Sequence, residues 1–234
     1  TTSEEAGYVI PYYGFDGKRL SFYRIRLLGT AAEVAGHKYK QAPGTPNHVY
    51  FPPGLSACIR TLYKSWRRGK SAMLRPCILL TEGEKKAAAC IKAGIPCVAL
   101  SGVYSWRNKI IQVPQDVEFK RNYSKGTLNI KLAKGMEDVI GMTEAGPAAH
   151  GVSEFVTFCA QHGWDCVIAF DTDNGGIKMD VQKAAARLGY EMRNRGLPVS
   201  RIRQLVLKGP SGHRGKLGLD DYLVRYGEAP LIKE

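Results

Sequence analysis

Ile78-Leu79-Leu80-Thr81-Glu82-Gly83-Glu84-Lys85-Lys86-Ala87 is the stretch on which the fold turns. Four residues from Ile78 to Thr81 suit a strand buried on both faces, and the residues from Gly83 onward suit a helix. Glu82 falls where the strand stops, at the carboxyl edge of a sheet, where open α/β folds bind ligands. Gly83 allows backbone or ligand a close approach. Lys85 and Lys86 occupy the first helical turn, where the macrodipole disfavours cations, so their placement suits an anion docked beside them. The same residues also suit a capped surface helix with solvated lysines.

Outward from this stretch the chain alternates. A strand is predicted over 76–81, a helix over 83–93 ending at Gly94, and a strand over 95–100, which together make a βαβ unit. Residues 107–147 read as an insert with an exposed basic loop, Lys120-Arg121-Asn122-Tyr123-Ser124-Lys125-Gly126. The alternation returns with a helix over 148–162, a strand over 165–170, a helix over 177–195, a strand over 200–207 and a short helix over 219–226.

Val167-Ile168-Ala169-Phe170-Asp171-Thr172-Asp173-Asn174-Gly175-Gly176 carries the second acidic signal. Asp171 and Asp173 follow an apolar strand one residue apart and can converge on one hard cation. An Asx-type turn that uses a single Asp also fits. A third segment, residues 208–223, is rich in glycine. It carries Lys208, His213, Arg214 and Lys216 and then Asp220-Asp221 at a helix start. Its cations suit a phosphate clamp, and Asp220 suits a helix cap.

The 234 residues carry a formal charge of +13, and the excess is concentrated early, with 12 Lys/Arg against 4 Asp/Glu in residues 1–76. Such a balance points to a polyanionic partner. In Phe22-Tyr23-Arg24-Ile25-Arg26-Leu27 the period of two places Arg24 and Arg26 on one strand face and Tyr23, Ile25 and Leu27 on a core face. Lys38 and Lys40 repeat the alternation around Tyr39. Basic residues among aromatics suit phosphate contact and base stacking, and they also suit a small sheet with buried rings. A boundary is predicted at Gly69, giving a basic β-rich part over 1–69 and an α/β part over 70–234.

The six cysteines form no CxxC pair and no close Cys/His cluster, so no zinc site is expected. No apolar run approaches the roughly 20 residues that cross a bilayer, and the first residues lack the apolar core of a signal peptide. A cytoplasmic protein without a membrane partner is therefore expected. A chain opening on Thr1 is expected to have flanking domains outside it.

Glu82-Gly83 at a strand end, followed by helix and strand, with Asp171-Thr172-Asp173 after a later strand, resembles the TOPRIM domain of bacterial primases, topoisomerases and some nucleases. Thr81 to Ala87, Gly102-Val103-Tyr104-Ser105-Trp106 and Gly218-Leu219-Asp220-Asp221-Tyr222-Leu223 more closely resemble the TOPRIM-like domains of phage and plasmid replication proteins. The likeness covers residues 77–226. It implies an α/β, Rossmann-like sheet with flanking helices, preceded by the small basic subdomain. It further implies a DNA primase-type nucleotidyltransferase that acts on single-stranded DNA and nucleoside triphosphates beside a replicative helicase, separate or fused.

By the same likeness Glu82 is the acid/base or metal-positioning carboxylate, and Asp171 and Asp173 hold Mg²⁺ or Mn²⁺. Lys85, Lys86, Lys208, Arg214 and Lys216 would hold the triphosphate. Arg24, Arg26, Lys38 and Lys40 would bind template phosphates, with Asp220 and Asp221 as accessory acids. Two departures stand out: the zinc module usual in bacterial primases is missing from this sequence, and the insert at 107–147 is long. Two alternatives remain open, a TOPRIM nuclease using the same carboxylates and a non-catalytic single-strand-binding module of a replication initiator. A haloacid-dehalogenase-type phosphatase also uses Asp-x-Asp, but too little chain follows Asp173 for that core.

Overall fold

The computed structural model describes residues 6–71, 73–109, 119–122, 127–130, 145–173, 176–209 and 215–227. Strands β1 (Gly7–Tyr13), β2 (Arg19–Leu27) and β3 (Tyr39–Gln41) form an antiparallel sheet, with helix α1 (Gly29–Ala35) between the last two. Helix α2 (Leu55–Arg67) leads to β4 (Cys77–Glu82), α3 (Glu84–Lys92) and β5 (Cys97–Leu100). Strand β6 (Arg107–Lys109) pairs with β9 (Ala145–Ala148), and β7 (Phe119–Asn122) pairs with β8 (Thr127–Ile130). Then come α4 (Val152–His162), β10 (Asp165–Ala169), β11 (Thr172–Asp173), α5 (Met179–Asn194), β12 (Ile202–Gln204), β13 (Lys216–Leu217) and α6 (Leu219–Tyr226).

The protein is a mixed α/β structure built on a parallel four-stranded sheet in the order β12-β10-β4-β5. The alternation of β4 explains its continuous apolar run. Ile78 and Leu80 join a core with Phe155 and Cys159 of α4 and Leu188 and Met192 of α5. Leu79 enters a second core with Ala87 and Cys90 of α3 and Leu219 of α6. Both faces are covered, as parallel sheets require. From β4 the chain crosses through α3 to β5, and from β10 it crosses through α5 to β12 on the other side. These departures in opposite directions place α3 and α5 on opposite faces. They also make the carboxyl ends of β4 and β10 the topological switch point, where open sheets leave a crevice.

The predicted boundaries need three adjustments. The helix predicted from 148 starts at Val152, because Ala145–Ala148 pairs with β6 instead. The strand predicted over 200–207 is short, and the 3₁₀ turn Val199–Arg201 precedes it. The faces of β2 are only partly as expected, with Leu27 buried but Arg24 and Arg26 half-buried instead of open. Arg24 lies opposite the buried Ile10, so the arginine face is the packed one, while Tyr23 is 49% exposed. The reason is an acidic partner on α3, described below.

The segment ahead of α2 ties the small sheet to the large one. Tyr50 exchanges backbone hydrogen bonds with Ala99 of β5, donating at 2.7 Å and accepting at 3.0 Å. His48 stacks between Phe22 (ring centroids 4.2 Å apart) and His150 (4.7 Å). Burial, helped by His150, pulls the His48 imidazole down to about 4. Its folded value lies below the unfolded value near 6.5, so its contribution is full above pH 6.5 and is lost as pH falls through about 4. Urea midpoints measured at pH 7 and pH 4.5 should therefore converge more in His48→Phe than in the parent. An unchanged acid sensitivity in that variant would exclude His48 as its source.

Candidate functional site

Register brings the two acidic signals together. Ala169 of β10 lies beside Thr81 of β4, and the buried Thr81 hydroxyl donates to the Ala169 carbonyl at 2.8 Å. Glu82 and Asp171 thus leave adjacent strands at the switch point. Gly83 turns the chain there with φ of 98° and ψ of 133°, a backbone conformation that L side chains resist. The turn leaves Glu82 half-buried on the crevice and starts α3 at Glu84.

Asp171 is the centre of charge. Its side chain is 9% exposed, the Lys86 ammonium lies 2.5 Å from Oδ1, and the Lys216 ammonium lies 2.8 Å from Oδ2. The Lys86 contact is an ion pair that lacks hydrogen-bond geometry. The anion beside the first turn of α3 is therefore the chain's own Asp171. Lys216 arrives on β13, which pairs with β11 so that Asp173 faces Lys216 and Thr172 faces Leu217. Thr172 is buried, and its hydroxyl donates to the Leu207 carbonyl at 2.9 Å. The hydrogen bond from Lys216 to Asp171 above all, and the charges of Glu82 and Asp173 besides, raise the Lys216 ammonium above its ordinary value. Of the three predicted acids, Asp171 makes the direct contact with Lys216. Asp173 is also paired with Lys178 at 3.0 Å, a residue that sequence reasoning missed.

A side chain at Gly218 would displace the charged groups of the site. A Cβ there would lie 2.7 Å from Cε of Lys86, 2.9 Å from Oδ1 of Asp220 and 3.0 Å from Oδ1 of Asp171. Asp220 therefore flanks the same point as Asp171, and its Oδ1 is buried with no hydrogen-bond partner among the described residues. The predicted cap is made by the next residue, since the Gly218 N–H donates to Oδ2 of Asp221 at 3.5 Å. Asp220 is thereby free of that duty and belongs to the acidic site.

Glu84 was not anticipated. It is 2% exposed, and its Oε1 accepts from the Tyr12 hydroxyl at 2.6 Å and from Nη1 of Arg24 at 2.5 Å. Burial first, then the Glu84 charge, pushes the Tyr12 phenol far above its ordinary value and keeps it a donor. The guanidinium groups of Arg24 and Arg26 each lie 4.7 Å from the centre of the Tyr39 ring. Arg24 is committed to Glu84, and Lys85 lies 5.7 Å from the Tyr8 ring centre. Lys38 and Lys208 are exposed, and Lys40 is half-buried opposite Ile25. Arg214, with His213, lies outside the described residues.

The donors fit a hard divalent cation in kind: carboxylate oxygens at a strand-end crevice, two of them, on Asp171 and Asp220, buried without hydrogen-bond partners among the described residues. Among the described residues no three His, Cys, Asp or Glu side chains are grouped as a metal cluster. The acids meet through lysines, so a cation would exchange with ammonium groups already there. The six cysteines are unpaired, and all but Cys77 are buried.

Among the described residues no helix is long and apolar enough to cross a membrane. A family described as a domain of unknown function (DUF3854) matches residues 71–140, which include β4, Glu82, α3 and β5 but not Asp171 or Asp173. No curated protein and no solved structure matches.

Proposed function

We propose that this chain is a TOPRIM-like nucleotidyltransferase of the DNA primase type, making primers on single-stranded DNA in a phage, plasmid or similar mobile element. The observation that supports the reading is that Glu82 and Asp171 leave adjacent parallel strands at the switch point of the sheet, where Asp171 is paired with Lys86 and Lys216 and Asp173 with Lys178. A site with several acids and several lysines suits a substrate that brings both phosphate charge and a metal. Asp171 and Asp173, with Glu82, would hold Mg²⁺ or Mn²⁺, which when bound neutralises charge developing on phosphate oxygens.

The chain's own groups then have defined tasks. A 3′-hydroxyl oxygen attacks the α-phosphorus of a nucleoside triphosphate, the bond to the β-phosphate oxygen breaks, and pyrophosphate leaves. Glu82 takes the hydroxyl proton. Lys86 and Lys216 exchange Asp171 for triphosphate oxygens, with Lys85 and Lys208 at the rim. The strand's phosphates fall to Arg26, Lys38 and Lys40, whereas Arg24 serves the buried pair with Glu84. Nucleoside triphosphates and single-stranded DNA are the proposed ligands, and a replicative helicase is the proposed partner.

The decisive assay supplies unlabelled single-stranded DNA, labelled nucleotides and Mg²⁺ or Mn²⁺. Extended labelled products are expected. Shortened template without incorporation would reassign the same carboxylates to a nuclease. Salt-sensitive binding with neither product would leave a strand-binding module.

A further inference from the structure

The segment Gly102-Val103-Tyr104-Ser105-Trp106 takes no part in the chemistry above, yet its last residue, Trp106, lines a cavity against α5. This cavity, of about 420 Å³, is lined by Trp106, Arg107, Ala186, Arg187, Tyr190 and Glu191. The Tyr104 hydroxyl donates to the Asp180 carbonyl at 3.0 Å and fixes the segment to the start of α5. The same helix is tied to the acidic site, because Lys178 just ahead of it pairs with Asp173. At 1.5 Å per residue, Tyr190 lies about 16 Å along α5 from its first residue.

We infer that this cavity is a nucleotide subsite, holding one base and its phosphate away from the reacting centre. The inference rests on the nucleic-acid reading above and deepens it. The cavity offers one open aromatic face and an Arg–Trp stack, because Tyr190 is 63% exposed and the Arg107 guanidinium lies 4.2 Å from the Trp106 ring centre. Bases stack on such surfaces whatever their sequence. It also offers positive charge. Glu191 is neutralised by Arg195, whose Nε and Nη2 lie 2.8 and 2.7 Å from its Oε1, while Arg187 has no ion pair among the described residues. Trp106 is 3% exposed, and its indole N–H has no acceptor among the described residues. A ligand with a flat ring and an anionic group uses the exposed Tyr190 ring and the arginines. An acidic peptide would use the arginines alone.

The test is fluorescence anisotropy on the full chain with a labelled single-stranded oligonucleotide and, separately, a labelled ATP analogue. Tyr190→Ala and Arg187→Ala change exposed side chains, so thermal melting should match the parent. Each should weaken oligonucleotide binding about tenfold, while Tyr190→Phe, which keeps the ring, should bind like the parent. Weaker oligonucleotide binding with unchanged ATP binding would assign the subsite to the strand, and weaker ATP binding would assign it to a free nucleotide. A parent that binds while both variants stay within twofold for both ligands overturns the subsite alone. A parent that binds neither ligand overturns the nucleic-acid reading and the subsite with it.

Discussion

Asp171→Asn should lower nucleotide incorporation by about a thousandfold or more while single-strand binding stays within about threefold of the parent. The carboxylate sits at the switch-point crevice, 9% exposed, between the ammonium groups of Lys86 and Lys216. Its negative charge keeps both lysines oriented toward the crevice and supplies oxygens that a hard cation prefers. Asn keeps the volume and removes the charge. Losing one preorganised charge from a site of this kind costs about 10² to 10³ in rate, and the loss of lysine alignment adds to it. Glu82→Gln should cost about 10² to 10³ by removing the proposed proton acceptor and one carboxylate of the proposed metal set. Steady-state incorporation beside circular dichroism and strand-binding isotherms separates chemistry from folding. An Asp171→Asn variant that keeps a tenth or more of parent activity would remove Asp171 from the reaction.

The frame of this site is readable in the residues because it depends on local pattern. An apolar strand that ends in Glu82-Gly83, and another that ends in Phe170-Asp171, each announce a carboxyl edge without reference to the rest of the chain. That these edges are neighbours follows from the order β12-β10-β4-β5, which no local pattern encodes. Helix α1 is invisible in the sequence for a related reason. It buries none of its residues, so no apolar stripe marks it. The packing of the arginine face of β2 has a different cause. Period two identifies which residues share a face, but it does not say which face is inside. Apolar Tyr23 and Ile25 suggest one answer, and the carboxylate of Glu84, sixty positions after Arg24, imposes the other. Lys178 escapes notice because a lysine ahead of a helix is ordinary until Asp173 is seen beside it.

Arg24→Ala should destabilise the protein by about 3–5 kcal/mol, the usual cost of removing one partner from a buried ion pair. Arg24 and Glu84 have side chains 11% and 2% exposed and lie 2.5 Å apart. Without the guanidinium, Glu84 would keep only the Tyr12 hydroxyl, and its Oε2 already lacks a hydrogen-bond partner among the described residues. The carboxyl then has to ionise unpaired in the core or take up a proton, and either outcome costs folding energy. Tyr12→Phe removes a single hydrogen bond and should cost less, about 1–3 kcal/mol. Replacing both charges, Arg24→Met with Glu84→Leu, should recover part of the loss, because no buried charge remains unpaired although the Tyr12 hydroxyl loses its acceptor. Urea unfolding of the single and double variants measures each step. A loss below about 1 kcal/mol for Arg24→Ala would mean that the pair does not hold the small sheet to α3. Because Glu84 is two residues from Glu82, the double variant has a second use. Restored stability with incorporation still reduced would show that the pair positions the turn at Gly83 as well as holding the two sheets together.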